Sequence, residues 1–368
     1  MKFGLLYLSD YHPDAYGDPS RYYGQILDQV QMAEELGFWS VWFGEHHAGG
    51  YAFGAPSVIA TAAAARTSRI RLGTGVSLIP LNHPVRLAEE YAMLDVLSGG
   101  RLEYAIGRGV LKYDYNIMGL DESESYARYR EGIELIIKAW TAGGPFSHEG
   151  RFWKLQDYSF FPQPLQKPHP PIYSSAAVSP ESYAWAGKMG FNLCATFFFP
   201  LPVAEMRHNI DLYRKALVEQ GFDPRDREVS GVFHTYCGED PMEARATGEA
   251  LINRYFRFTG RIERRGGLHT AADYEHYHGS LASFFKGKSY DQLDRERLFM
   301  IGDPETLIER IRWAADTYGA DYLLLGCFQG GISHDQCVRS LERFARYVMP
   351  AFSDERATGA AKRWPVSG

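Results

Sequence analysis

An acid and two imidazoles, Glu45-His46-His47, follow directly on the apolar run Val41-Trp42-Phe43 and a glycine. Histidine is the side chain most easily tuned to exchange a proton near neutral pH, and strand ends opening into loops are where scaffolds present catalytic groups. An isolated pair of histidines reads as readily as a polar loop, so the rest of the chain has to decide. Arg108 stands between Gly107 and Gly109, where glycines free backbone N–H groups and a guanidinium offers a fork to phosphate. Ser179 and Ser182 place two hydroxyls at the start of a predicted helix, a pattern that caps the helix and also suits an anion. Thr74-Gly75-Val76-Ser77, Ser174-Ser175-Ala176-Ala177 and Gly326-Cys327-Phe328 carry small residues where a buried strand would prefer Val or Ile. Turn geometry explains any one of these glycines. The set together describes a phosphate-bearing planar cofactor over an acid/base histidine. No metal is expected, because Glu45, His46 and His47 are adjacent and cannot all face one ion, and Cys194, Cys237, Cys327 and Cys337 show no zinc spacing.

The elements that must hold these residues alternate. Strand-like segments fall near 2–8, 40–45, 70–77, 102–108, 171–175, 191–196, 229–236 and 321–327, and helix-like segments such as 22–36, 84–97, 179–189 and 304–318 lie between them. Eight such alternations predict parallel strands closed into a (β/α)8 TIM barrel, whose active site opens at the C-terminal strand ends. An open doubly wound sheet would want a glycine-rich turn after its first strand, and Ser9-Asp10-Tyr11-His12-Pro13 is not one. One domain is expected over 1–352, with insertions at about 143–169 and 259–300 and a loose tail over 353–368. The second insertion, with Gly266-Gly267, basic residues and aromatics, reads as a lid over the open face.

Composition bounds the partners. The 368 residues are 45% hydrophobic and carry a net charge of −6 with no block of like charges, which argues against nucleic acid. The longest apolar stretches, such as 191–203, are too short for a membrane span. Scattered cysteines read as reduced packing residues, and with no signal-peptide pattern the expected location is the cytoplasm.

Several segments in order resemble the bacterial luciferase-like flavin monooxygenases over nearly the full length. They are Lys2-Phe3-Gly4, Trp42-Phe43-Gly44-Glu45-His46-His47, the run from Asn82-His83-Pro84-Val85-Arg86 to Glu89, and Leu94-Asp95-Val96-Leu97-Ser98-Gly99-Gly100-Arg101. Gly107-Arg108-Gly109, the proline-rich run between Pro162 and Tyr173, Gly302-Asp303-Pro304-Glu305 and Val348-Met349-Pro350 complete the set. The resemblance implies a (β/α)8 barrel that takes reduced FMN from a separate flavin reductase. The flavin reacts with O2 at C4a, and the peroxide oxygenates a small organic substrate such as an aldehyde or ketone. By position, His46 matches the acid/base histidine, with Glu45 and Asp114 in the catalytic set. Arg108, the backbone at Val110, Ser179 and Ser182 match the phosphate site, and Thr74-Gly75-Val76 the strand under the ring system, where the family often has a non-proline cis peptide. Gly107, Tyr126 and Val178 complete the cofactor-binding set.

Two departures stand out. Gly107 replaces the reactive cysteine of light-emitting members, and Tyr126 occupies the place of a phosphate-supporting arginine; whether Arg128 nearby replaces it is left open by the sequence. The resemblance also implies a homodimer through the helices after strands two and three, where 56–67 is a run of small residues. A deazaflavin-dependent hydride transfer and a flavin-binding protein without catalysis are the alternatives on the same barrel.

Overall fold

The computed structural model describes residues 1–47, 49–199, 201–267, 269 and 287–353. Eight parallel strands close on themselves: Lys2–Tyr7, Ser40–Phe43, Arg71–Thr74, Leu102–Gly107, Ile172–Ala176, Asn192–Thr196, Val229–Cys237 and Tyr322–Gly326. The seam closes where Gly4 of the first strand pairs with Ser40 on one side and Leu324 on the other. All eight lie at the predicted positions, because strands buried on both faces read as near-continuous apolar runs. The expected barrel is the observed one.

Three local differences have physical reasons. The third strand is not one segment over 70–77: it stops at Thr74, passes a cis peptide at Gly75–Val76, and resumes as Ser77–Leu78, paired with Ile106 and Gly107. The seventh strand, nine residues long, outruns the five-residue eighth, and a ninth strand that the sequence did not suggest, Phe299–Gly302, pairs with its free half from His234 to Cys237. The first part of the supposed 259–300 insertion is the end of a long helix, Pro241–Gly266. The core of the expected lid, 270–286, lies outside the described residues. The 143–169 excursion is the hairpin Phe146–Glu149/Lys154–Tyr158 with little helix, as its composition suggested.

Two helices start where the sequence placed their caps. Pro84–Leu97 and Pro304–Tyr318 match the predicted bounds. The Asp303 carboxylate accepts the Thr306 N–H at 3.1 Å ahead of a proline at the first helical position. Helix Pro19–Glu35 begins three residues before the expected 22, because Asp18 and Pro19 provide the same signal there.

The barrel is tied near its N-terminal end by one buried carboxylate. Glu103 Oε1 accepts from Trp39 Nε1 and Arg71 Nε, both at 2.9 Å, and Oε2 from Trp42 Nε1 at 2.9 Å and the Tyr322 hydroxyl at 3.0 Å. Those donors come from the second, third and eighth strands and the residue leading into the second. Gly73 permits the arrangement, since a side chain there would run into the Trp42 indole. The four cysteines are buried free thiols, and burial pushes Cys194 and Cys237 up to about 12.

Removing the charge while keeping the shape tests this tie. Glu103→Gln turns an acceptor-only group into one with an N–H2 facing donors, and it should lower unfolding stability by about 3 kcal/mol. The urea midpoint checks it, and an unchanged midpoint would mean that the network adds nothing to stability.

Candidate active site

The C-terminal strand ends surround a cleft of about 1460 Å³. That exceeds the roughly 300–1,000 Å³ usual for one small ligand, and suits a cofactor with a substrate beside it. The Glu45-His46-His47 run leaves the second strand at its mouth, but the three residues do different work. Glu45 is buried, and both its oxygens are committed. Oε1 accepts His47 Nε2–H at 2.7 Å and Asn82 Nδ2–H at 2.8 Å, and Oε2 accepts the Leu78 N–H at 2.8 Å. With three donors on it, Glu45 fixes His47 and the resumed third strand. For His47, burial pulls the pKa down, but the Glu45 hydrogen bond and charge, with Asp114 adding less, leave it above the ordinary imidazole value.

His46 faces the cleft. Its backbone N–H donates to the Phe53 carbonyl at 3.1 Å, and its ring stacks on Tyr51 with centroids 4.1 Å apart. Its Nδ1 lies 3.9 Å from Asp114 Oδ2, too far for a hydrogen bond. Among the described residues His46 Nδ1 and Asp114 Oδ1 are buried polar atoms with no hydrogen-bond partner. Such orphans carry a cost, and at the floor of a cleft they mark where a ligand or water completes the set. Asp114 is placed there by the short helix Lys112–Met118 after the fourth strand.

The other expected positions separate into three groups. Gly75, Val76, Gly107, Arg108, Val110 and Ser182 line the cleft. Thr74 lies beneath it, wholly buried, its hydroxyl accepting the Ala105 N–H at 2.9 Å and donating to the Ala105 carbonyl at 2.5 Å. It clamps the third strand to the fourth just before the break. Tyr126 stands behind Arg108, whose guanidinium lies 5.5 Å from its ring centroid, and Arg130 packs on the same ring at 4.1 Å. Arg128 bonds Glu124 and stacks on Phe152. Val178 and Ser179 do not line the cleft. The Val178 carbonyl receives Asn209, and the Ser179 hydroxyl donates to Glu181 Oε2 at 2.6 Å. A carboxylate beside Ser179 works against an anion there, so Ser182 is the better placed hydroxyl.

Sequence reasoning missed Tyr51, which supports His46, and a relay at the end of the first strand. Asp10 Oδ2 accepts His12 Nε2–H at 2.7 Å and the Gly330 N–H at 2.7 Å, and Arg254 Nε lies 3.3 Å from His12 Nδ1. An acid and a histidine two apart at a barrel strand end was the available signal. Among the described residues no three acid, histidine or cysteine side chains converge to hold a metal ion.

Residues 1–321 match the family model of the luciferase-like monooxygenases, and the chain belongs to that family. It is therefore an oxidoreductase of the luciferase-like kind. The flavin-dependent trigonelline monooxygenase, oxygenase component, of Acinetobacter baylyi is 30% identical, with 91% of each chain covered. The crystal structure of the monooxygenase RslO1 from Streptomyces bottropensis superposes with a TM-score of 0.82 at 27% identity, over 96% of this chain and 100% of that one. The oxygenating constituent of 3,6-diketocamphane monooxygenase from Pseudomonas putida, in complex with FMN, shares the fold at TM-score 0.76 and 22% identity, over 95% and 98% of the two chains.

The assignment of Glu45 as the holder of His47 can be read directly. The stabilisation that the raised His47 contributes is full below its unfolded pKa, near 6.5, and fades as pH rises through the folded value. In Glu45→Gln burial remains while the carboxylate is gone, so the His47 titration midpoint should fall below the ordinary imidazole range. Nuclear magnetic resonance of the ring protons reads this. A midpoint at the native value would assign the shift elsewhere.

Proposed function

We propose that this chain is the oxygenase component of a two-component monooxygenase. In this reading it takes reduced FMN from a separate flavin reductase and uses O2 to oxygenate a small organic substrate, such as an aldehyde or ketone. The observation that carries the reading is the buried, unpartnered His46 Nδ1 and Asp114 Oδ1 at the floor of a cleft that Arg108 also lines. The residues present fit a flavin. Gly75, Val76 and Gly107 give a narrow backbone floor for a flat ring system, and a side chain at Gly107 would run into Val76. Arg108, held against Tyr126, and Ser182 supply phosphate-binding groups on one flank. The trigonelline enzyme is named a flavin-dependent oxygenase component, and the camphane enzyme was solved with FMN.

Bound reduced flavin supplies the two electrons that activate O2. The protein's own part is orientation and proton control. His46, stacked on Tyr51, holds or moves a proton at its Nδ1 facing Asp114. Glu45 and Asn82 keep the preceding loop rigid, and Leu8, Val76 and Phe198 provide apolar wall that excludes water from the reacting centre. Gly107 leaves no thiol at that position, which argues against light emission as the output.

Residues 1–352 form the catalytic unit in this proposal, and a cytoplasmic location fits its four free thiols. No helix among the described residues is long and apolar enough to cross a membrane. The assembly is a homodimer through helices Pro56–Arg66 and Pro84–Leu97. Exposed Val58, Met93 and Leu97, at 70%, 51% and 62%, give these neighbouring helices an apolar outer face. A dimeric mass by light scattering at micromolar protein supports this, and a monomeric mass overturns it.

Two substitutions separate binding from chemistry. A charged hydrogen bond of about 1.5–3 kcal/mol at Arg108 means that Arg108→Ala should weaken reduced-FMN binding by roughly ten- to a hundredfold. His46→Ala should leave that affinity nearly intact and cut turnover by roughly 10²–10⁴-fold. Turnover with reduced deazaflavin and no oxygen would favour the hydride-transfer alternative, and FMN binding without any turnover the non-catalytic one.

A further inference from the structure

Helix Pro241–Gly266 presents Arg254, Arg257, Arg261 and Arg264 to the cleft. Spacings of three, four and three put all four on one face of an α-helix. The surroundings make this unusual. The chain carries a net charge of −6, and Glu263 is the only acid between 254 and 266. Like charges three and four residues apart repel and weaken a helix, so the row carries a cost that a bound anion would remove.

The arginines are not neutralised evenly. Arg254 pairs with Asp14, whose carboxylate is 70% exposed, so that pair is weak and exchangeable. Its direction is fixed from behind. Asp10 takes the Nε2 proton of His12, which leaves His12 Nδ1 as the acceptor for Arg254 Nε–H at 3.3 Å. Arg257 donates through Nε to the Asn253 carbonyl of its own helix, and Arg261 lies over the Phe258 ring at 5.6 Å. Neither of these two, nor Arg264, forms an ion pair among the described residues.

Phe258 connects this face to the chemistry. Its ring meets Tyr51 edge-on at 4.9 Å, and Tyr51 stacks on His46; the His12 ring packs on Phe258 at 5.3 Å. Two stacked or edge-on rings, Phe258 and Tyr51, thus link Arg261 to the acid/base histidine. Guanidinium groups recognise planar oxyanions through paired N–H donors, and carboxylate is the smallest organic group of that shape.

We propose that Arg254, Arg257 and Arg261 are the substrate-selecting residues of the cleft, and that the substrate is a small organic molecule bearing a carboxylate. The proposal rests on the reading of this cleft as the monooxygenase site. Its first test needs neither flavin nor turnover, and a second titration with reduced FMN separates it from the cofactor site. A panel of monocarboxylates, including benzoate and hexanoate, is titrated calorimetrically against the flavin-free protein beside the matching neutral carboxamides. At least one carboxylate should bind about tenfold or more tightly than its amide, and added salt should reduce the difference. In Arg257→Gln/Arg261→Gln, whose altered side chains are exposed at the rim, the preference should vanish with the melting temperature unchanged or raised. The proposal is overturned if no carboxylate is preferred, or if the preference survives in the double variant. It is also overturned if the double variant loses reduced-FMN affinity in proportion, which would assign the arginines to the cofactor phosphate. Carboxylate preference without FMN binding in the wild-type protein would instead break the flavin reading and leave this one standing.

Discussion

A carboxylate buried inside a barrel must be surrounded by donors or it cannot remain charged, and Glu103 meets that demand with four. Because its partners come from the second, third and eighth strands, the relative heights of these strands are set at one point. Strand height decides which residue emerges at the opposite rim. The registers that pair Phe43 with Thr74 and Tyr7 with Phe43 therefore bring Glu45, Val76 and the end of the first strand to one level above the barrel.

A second buried carboxylate does for the rim what Glu103 does for the barrel. Glu45 sits where the third strand breaks, and its bond to the Leu78 N–H satisfies a backbone donor of the resumed strand. The same oxygen pair steadies His47 and Asn82, so that the loop carrying His46 is held from three sides. His46 Nδ1 and Asp114 Oδ1 are by contrast left without hydrogen-bond partners, on side chains that approach to 3.9 Å. Rigid support around an unsatisfied pair is the arrangement expected of a site made to receive a ligand.

Much of this was legible in the residues, and the reasons differ by level. The eight strands were readable because two-sided burial demands apolar runs, and the helix bounds at Pro84 and Pro304 because proline and its capping neighbour mark a start. Phe299–Gly302 was not, since four residues beside a longer helix carry too little pattern. Within the site, residue type announced His46 and Arg108, but it could not show that Glu45 was already saturated or that Ser179 had turned to Glu181. Those are facts about neighbours far apart in sequence. The arginine row was readable in principle from its helical spacing. An insertion boundary at 259 hides it, because the helix continues for two more turns to Gly266.

The buried thiols have a consequence of their own. Oxidants attack the thiolate rather than the thiol, and burial keeps Cys194 and Cys237 protonated at any physiological pH. Cys327 and Cys337 are equally enclosed. The oxygen chemistry proposed for this cleft would release hydrogen peroxide in any cycle that ends without product. In this chain the thiols that could form sulfenic acid are buried away from solvent peroxide.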